Sequence, residues 1–327
     1  MPFLLIAIIA IAMVFDFLNG FRDSSNIVAT MISSRALSPR FALGITAVAE
    51  FSGPFLFGVA VATTIGSEIV DPAAITSVAI IAALSSAILW NLFTWHFGWP
   101  SSTSHALIGG LIGAVGVAEG LSTIKLAGLE KVLVALFISP ILGLVFGYLV
   151  LKLIYFLARG ASPGINVLFK RGQVVTALAL ALSHGTNDAQ KTMGVIAMAM
   201  VTTGYTAQFH VPWWVITLSA SAIALGTVIG DWRLIKTVGG KFYKIRPVHA
   251  FGSQLTSAGI ILGAALLGGP VSTTQVVSSA IMGAGAADRL SKVRWTVGRD
   301  IAVAWVLTIP VSALVAAGLY LLIHLFV

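Results

Sequence analysis

Four short polar segments interrupt an otherwise apolar chain, and their residue types define the chemistry available to it. Asn19-Gly20-Phe21-Arg22-Asp23-Ser24-Ser25-Asn26 and His184-Gly185-Thr186-Asn187-Asp188-Ala189-Gln190-Lys191 each place a carboxylate beside amide and basic groups. An ionised carboxylate at mid-membrane costs at least ~2.5–3.5 kcal/mol, so it persists where it faces a polar cavity with a partner. Arg22 and Lys191 lie in the same two motifs and are expected to supply countercharge. The plainer alternative, an internal ion pair that only locks helices, does not account for the repetition.

Pro100-Ser101-Ser102-Thr103-Ser104-His105 and Pro270-Val271-Ser272-Thr273-Thr274-Gln275 each put hydroxyls after a proline and before a helix-length run. Proline suits the first helical turn and serine or threonine caps it. A helix start offers free N–H groups and partial positive charge, which suit an oxyanion. Plain N-capping is the alternative for either motif alone. Of the histidines, His105 and His184 adjoin the motifs, while His96, His210, His249 and His324 fall near segment ends.

The segments recur. The aspartate motifs are displaced by 165 residues, the proline motifs by 170, and Gly109-x-x-x-Gly113 matches Ser279-x-x-x-Gly283 at that same 170. Three matches in one order at nearly equal displacement indicate a duplication. The halves are taken as 1–160 and 161–327. Gly109, Gly110, Gly113, Gly283 and Gly285 read as close helix packing.

The elements that must hold these motifs are apolar runs near the ~20 residues that span a bilayer. Ten are expected, at 2–33, 40–66, 73–97, 102–119, 130–158, 172–203, 212–231, 250–268, 272–287 and 299–326. The first lacks a basic leader and reads as a membrane segment, not a cleaved signal. Segments 102–119 and 272–287 are short and glycine-rich, while 2–33 and 172–203 carry polar residues near the middle. Short or broken segments at matched positions are a transporter pattern. Five segments per half is odd, so the second half enters inverted. The fold class is therefore all-α and polytopic, with two inverted five-segment repeats and broken or re-entrant helices at the centre.

Composition agrees: 58% of residues are apolar and 9% charged, against about 25% charged in soluble domains. The chain has too few charges to cover a soluble surface. The net charge of +8 sits in loops, which argues against a nucleic-acid partner. Arg35, Arg40, Arg159, Lys170, Arg171, Arg233, Lys236, Lys241, Lys244, Arg246, Arg289, Lys292, Arg294 and Arg299 fall on one side by parity, and only Lys125 and Lys131 on the other. The positive-inside rule makes the rich side cytoplasmic and puts both termini outside.

At the aspartate and proline motifs, and at Glu50 in the second segment, the chain resembles the inorganic phosphate transporter (PiT or phosphate permease) family. The resemblance spans nearly the whole chain. It implies secondary transport of phosphate, with sulfate as the alternative cargo, driven by a cation gradient across the cell membrane. It assigns Asp23, Asn26, Asn187 and Asp188 to substrate and cation binding, Glu50 to the cation, and Ser102, Thr103, Ser104, Ser272, Thr273 and Thr274 to oxyanion-binding turns. Lys191 joins the substrate set. Sodium, if it is the cation, would sit at Asp23 and Asp188. Arg22 stands where many members have Asn or His, Gln275 where a second His is common, and Lys191 at the position aligned with Asn26. Fixed cations there repel sodium, so the expectation is proton symport in preference to sodium. No cofactor is implied, and a homodimer is compatible. An intramembrane hydrolase using Ser104, His105 and an aspartate is the alternative of another class, without a G-x-S-x-G or H-E-x-x-H motif to support it.

Overall fold

In hydrocarbon every backbone polar group must be satisfied within the chain, which leaves helices or closed barrels, and this sequence takes the first course. A computed structural model describes residues 2–34, 36–99, 101–231 and 245–326. The predicted Arg35, Pro100, Arg233, Lys236, Lys241 and Lys244 lie outside the described residues.

The described residues form eleven α-helices. The first half holds α1 (Phe3–Ser33), α2 (Pro39–Phe57), α3 (Ala60–Thr63, continued by a π turn Thr64–Glu68), α4 (Ser77–His96), α5 (Thr103–Ala118) and α6 (Leu126–Leu157). The second holds α7 (Ile165–Thr202), α8 (Trp213–Ile229), α9 (Pro247–Leu266), α10 (Thr273–Asp288) and α11 (Trp295–His324).

Polarity is distributed inside out. Leu126, Leu314 and Val48 are 78%, 74% and 69% exposed, whereas Asp23, Glu50, Asp188 and Lys191 are almost wholly buried. An apolar exterior over a polar interior is stable where the solvent is lipid. By length and hydropathy, α1, α4, α6, α7 and most of α11 can cross a membrane, and α2 with Ala60–Glu68 makes a sixth, bent by 74°. Helices α5, α8 and α10 are shorter, at 16, 17 and 16 residues. The protein is a polytopic membrane protein. The arginines at 40, 159, 171, 246, 289, 294 and 299 are exposed, as is Lys170.

Two features differ from the expected segments. α1 and α7 run unbroken through their polar motifs, because the polar side chains meet each other and leave the helical backbone bonds intact. The break falls within 40–66 instead, between Phe57 and Ala60, at Gly58 with φ +80°. Gln190 of α7 closes it: its Oε1 accepts from Val61 N at 2.8 Å and Ala62 N at 3.2 Å, and its Nε2 donates to Gly58 O at 2.6 Å.

Helix contacts come in matched sets. α1 packs on α8 and α7 on α2; α5 on α11 and α10 on α6; α4 on α5 and α9 on α10; α4 on α11 and α9 on α6. Some crossings admit only glycine. A Cβ at Gly20 would lie 2.0 Å from the Ile223 carbonyl oxygen, and one at Gly185, its counterpart at 165 residues, 2.1 Å from that of Glu50. The prolines inside α6 and α11, Pro140 and Pro310, are 170 residues apart.

Candidate substrate and cation site

The centre of the molecule is where the middles of α1 and α7 meet the N-termini of α5 and α10. Helical periodicity sets the display: Asn19, Asp23 and Asn26 share one face of α1, and His184, Asp188 and Lys191 one face of α7. Ser102 and Ser272 are the N-caps of α5 and α10, accepting from His105 N at 3.1 Å and Gln275 N at 3.4 Å. Their predicted capping role is therefore present, and their oxygens already face backbone N–H groups.

Each aspartate motif docks on the hydroxyl turn of the other half. On one side, the Thr274 hydroxyl donates to Asp23 Oδ1 at 2.7 Å, and Asn26 Nδ2 donates to the same oxygen at 3.0 Å and to Thr274 Oγ1 at 3.2 Å. On the other, Lys191 Nζ pairs with Asp188 Oδ1 and donates to Ser104 Oγ at 2.6 Å and Val271 O at 2.8 Å. Asn26 and Lys191 thus occupy equivalent places, an amide in one half and an ammonium in the other. Thr273 joins the two arrangements, its hydroxyl lying 3.2 Å from Asp23 Oδ2 and 2.9 Å from Asp188 Oδ2. Thr103 reaches the cluster through Asn19, donating to Asn19 Oδ1 at 3.0 Å, while Asn19 Nδ2 lies 3.5 Å from Asp188 Oδ2.

Asn187 stands behind this cluster. Its Nδ2 donates to Gly269 O at 3.1 Å and its Oδ1 accepts from Val271 N at 3.2 Å, so it fixes the segment leading into α10. Arg22, its counterpart 165 residues earlier, treats the entry to α5 in the same way: it donates to Asn91 O at 3.1 Å, Asn91 Oδ1 at 2.9 Å and Ser101 Oγ at 3.2 Å. Arg22 forms no ion pair with an aspartate among the described residues, so the countercharge expected of it acts on Asp23 only through space. Its guanidinium is turned toward the α4–α5 segment because α1 places residue 22 on a different face from residue 23. Lys191 is 1% exposed and does pair with Asp188, so it does not reach toward lipid.

His184 is the principal residue missing from the expected site. Its Nδ1 lies 2.7 Å from Glu50 Oε1, and its Nε2 lies 3.1 Å from Asp188 Oδ2 and 3.6 Å from Asp23 Oδ2. It links the α2 carboxylate to both central aspartates. The signal was present in its position one helical turn before Asp188, aligned with Asn19 of the first motif. The ring is buried among three carboxylates, yet neither of its nitrogens makes a hydrogen bond with them, so it stands beside them as a polar group still open to a proton or to another ligand. Asp23, His184 and Asp188 also offer ligand atoms that all lie within 4.8 Å of one another, close enough to share one cation. His105 turns away: its Nδ1 meets Ser102 Oγ at 2.7 Å, and Gln275 Nε2 lies 3.4 Å from the ring. The Ser104–His105 pairing that a hydrolase would need is not formed, and Ser104 Oγ instead donates to Val271 O at 2.9 Å.

A polytopic helical protein with hydroxyl-capped helix starts and paired carboxylates buried at its centre belongs to the class of membrane transporters by fold and site alike. Residues 19–316 match the model of the phosphate transporter family, and the chain belongs to that family. It is 44% identical over 326 residues to a Bacillus subtilis (strain 168) protein named "Probable low-affinity inorganic phosphate transporter", covering 98% of each chain. A Rhizobium meliloti (strain 1021) protein of the same name is 44% identical over 319 residues, covering 97% of this chain and 96% of its own. The fold matches a solved structure titled "The sodium-dependent phosphate transporter" with a TM-score of 0.89, at 24% identity, covering 99% of this chain and 100% of that one.

Proposed function

We propose that the protein imports inorganic phosphate across the cell membrane by proton symport, through alternating access of the central cluster between two inverted halves. The observation that carries this reading is the reciprocal docking of Asp23 on Thr274 and of Asp188, through Lys191, on Ser104. Motion of one half against the other would have to exchange these contacts. The 165- and 170-residue displacements, the matched helix contacts and the paired glycine crossings support the two-fold relation of the halves.

Phosphate suits the site because its P–OH group can donate to Asp23 or Asp188 while its other oxygens accept from Thr273, Thr274, Ser104 and Lys191 once these release the acceptors they now hold. Sulfate has no such donor, and a carboxylate repels it. Asp23, Asn26, Asn187 and Asp188 are assigned to substrate and cation together, with Thr103 acting through Asn19, and Ser102 and Ser272 holding the helix starts. Glu50 contributes through His184. The proton reading rests on the imidazole flanked by Glu50, Asp188 and Asp23. A metal cation at the aspartates would compete with the proton on Nε2.

The test is uptake of labelled phosphate into proteoliposomes, with an inward pH gradient and no sodium. Accumulation above background is expected. Background uptake there, with accumulation only under a sodium gradient, would transfer the coupling role to sodium. Labelled sulfate uptake that excess phosphate does not inhibit would reverse the choice of cargo.

A further inference from the structure

Asp16 lies on α1 outside the cluster described above, and nothing in the transport scheme so far uses it. It is fully buried. Its Oδ1 accepts from the Thr192 hydroxyl of α7 at 2.5 Å, and its Oδ2 makes no hydrogen bond although the Ser219 hydroxyl of α8 faces the carboxyl. No lysine, arginine or histidine forms an ion pair with it among the described residues. The charged groups that act on it most strongly among the described residues are on α7: Asp188, which opposes a second negative charge, and Lys191, whose ammonium is already committed to Asp188, Ser104 and Val271. α8 presents it with only a hydroxyl.

A carboxylate without countercharge, sealed from water inside a membrane protein, is a costly species. The neutral carboxyl fits the same place, with Thr192 donating to one oxygen and the other carrying the proton. The place suits a carboxyl that exchanges one proton. A purely structural hydrogen-bonding role would be filled as well by asparagine or threonine, without this cost.

Its position along the helices gives the proton a direction. Asp16 precedes Asp23 by seven residues, about 10 Å of helix rise, and seven residues bring it back to the same face of α1. Thr192 follows Asp188 by four residues on α7. In the inverted arrangement α1 runs inward and α7 outward, so both helices set Asp16 on the external side of the central cluster. α1 and α7 also belong to different halves, so the Asp16–Thr192 bond crosses the boundary along which those halves would move.

We propose that Asp16 is a proton-binding coupling site of this transporter, taking up one proton while the site faces outward and releasing that proton to the cytoplasm with phosphate. The bond broken and the bond formed are both O–H, and the proton crosses with the phosphate anion, whose negative charge it offsets by one unit. This rests on the proton-symport reading of the central site and extends it with a carrier outside the phosphate-binding groups.

The experiment uses the full chain in proteoliposomes holding a trapped pH dye, with wild type, Asp16→Asn and Asp16→Glu. Two reactions are followed: phosphate exchange at equal phosphate and pH on both sides, and accumulation driven by an inward pH gradient with its internal acidification. In Asp16→Asn, exchange is expected to persist while gradient-driven accumulation and acidification fall by about tenfold or more, within the span of coupled equilibria. Asp16→Glu is expected to restore acidification with a displaced pH profile. The proposal is overturned if Asp16→Asn accumulates phosphate and protons like wild type. It is equally overturned if both variants lose exchange and accumulation in parallel, which marks a structural role. Wild-type exchange without acidification would instead remove the proton-symport premise, and absence of wild-type phosphate exchange would remove the phosphate reading itself.

Discussion

At the scale of single residues, the two halves solve one problem with different chemistry. Asp23 is satisfied by neutral donors, Asn26 and Thr274, while Asp188 is satisfied by the Lys191 ammonium. Removing one partner of a buried ion pair leaves an uncompensated charge and costs about 3–5 kcal/mol, whereas removing both can be neutral. Asp188→Asn and Lys191→Met should therefore each lower the thermal midpoint of the detergent-solubilised protein and reduce phosphate uptake by about tenfold or more, equivalent to about 1.4 kcal/mol or more. The Asp188→Asn/Lys191→Met double variant should regain most of the midpoint and none of the uptake. A double variant no more stable than the singles would mean that the pair is not coupled. The repeated spacing made these residues legible in the sequence. Arg22 was not, because adjacent positions on a helix differ by about 100°, and only the packed structure says which of residues 22 and 23 turns inward. Nor could spacing bring Glu50 onto His184, since that contact depends on how α2 crosses α7.

At the scale of elements, apolar length located the helices, but local signals placed a break wrongly. The stretch 40–66 reads as one span. Its bend of 74° is held by the Gln190 side chain, 129 residues from Val61 and 132 from Gly58 in sequence. Gly58 permits the turn with φ +80°, but glycine is too common in this chain to announce it. Three backbone groups at the break depend on Gln190, and a buried polar group left unpaired costs about 1–3 kcal/mol. Gln190→Ala is therefore expected to lower the thermal midpoint clearly. Gln190→Glu, which keeps the acceptor for Val61 N and Ala62 N but loses the donor to Gly58 O, should fall between alanine and wild type. Equal midpoints for Gln190→Ala and wild type would show that the break is held by other contacts. The helix starts at Ser102 and Ser272 were legible for the opposite reason: a cap is a local bond between a side chain and a backbone group three residues on.

At the scale of the whole molecule, the arrangement makes a demand that no single helix can meet. If the halves are inverted, the loops that follow the equivalent helices α1 and α7 must open on opposite sides of the membrane. α7 has 38 residues, about 57 Å at 1.5 Å per residue, well beyond a hydrocarbon core of about 30 Å. Its first turns carry the exposed Lys170 and Arg171, and a helix of this length would extend them beyond the hydrocarbon. By the positive-inside rule the side they reach is expected to be cytoplasmic. The chain contains no cysteine, so single cysteines report without background. Ser38 after α1, Ser162 before α7 and Gln208 after α7 are all exposed. A membrane-impermeant maleimide applied to intact cells is expected to label Gln208→Cys and to spare Ser38→Cys and Ser162→Cys, and permeabilised cells should label all three. The Ser38 and Gln208 results are the informative pair, because their loops are equivalent by the duplication. Labelling of both from outside, or of neither, would put them on one side and leave the two halves parallel. The central cluster would then lose the symmetry that lets one set of contacts replace the other as access alternates.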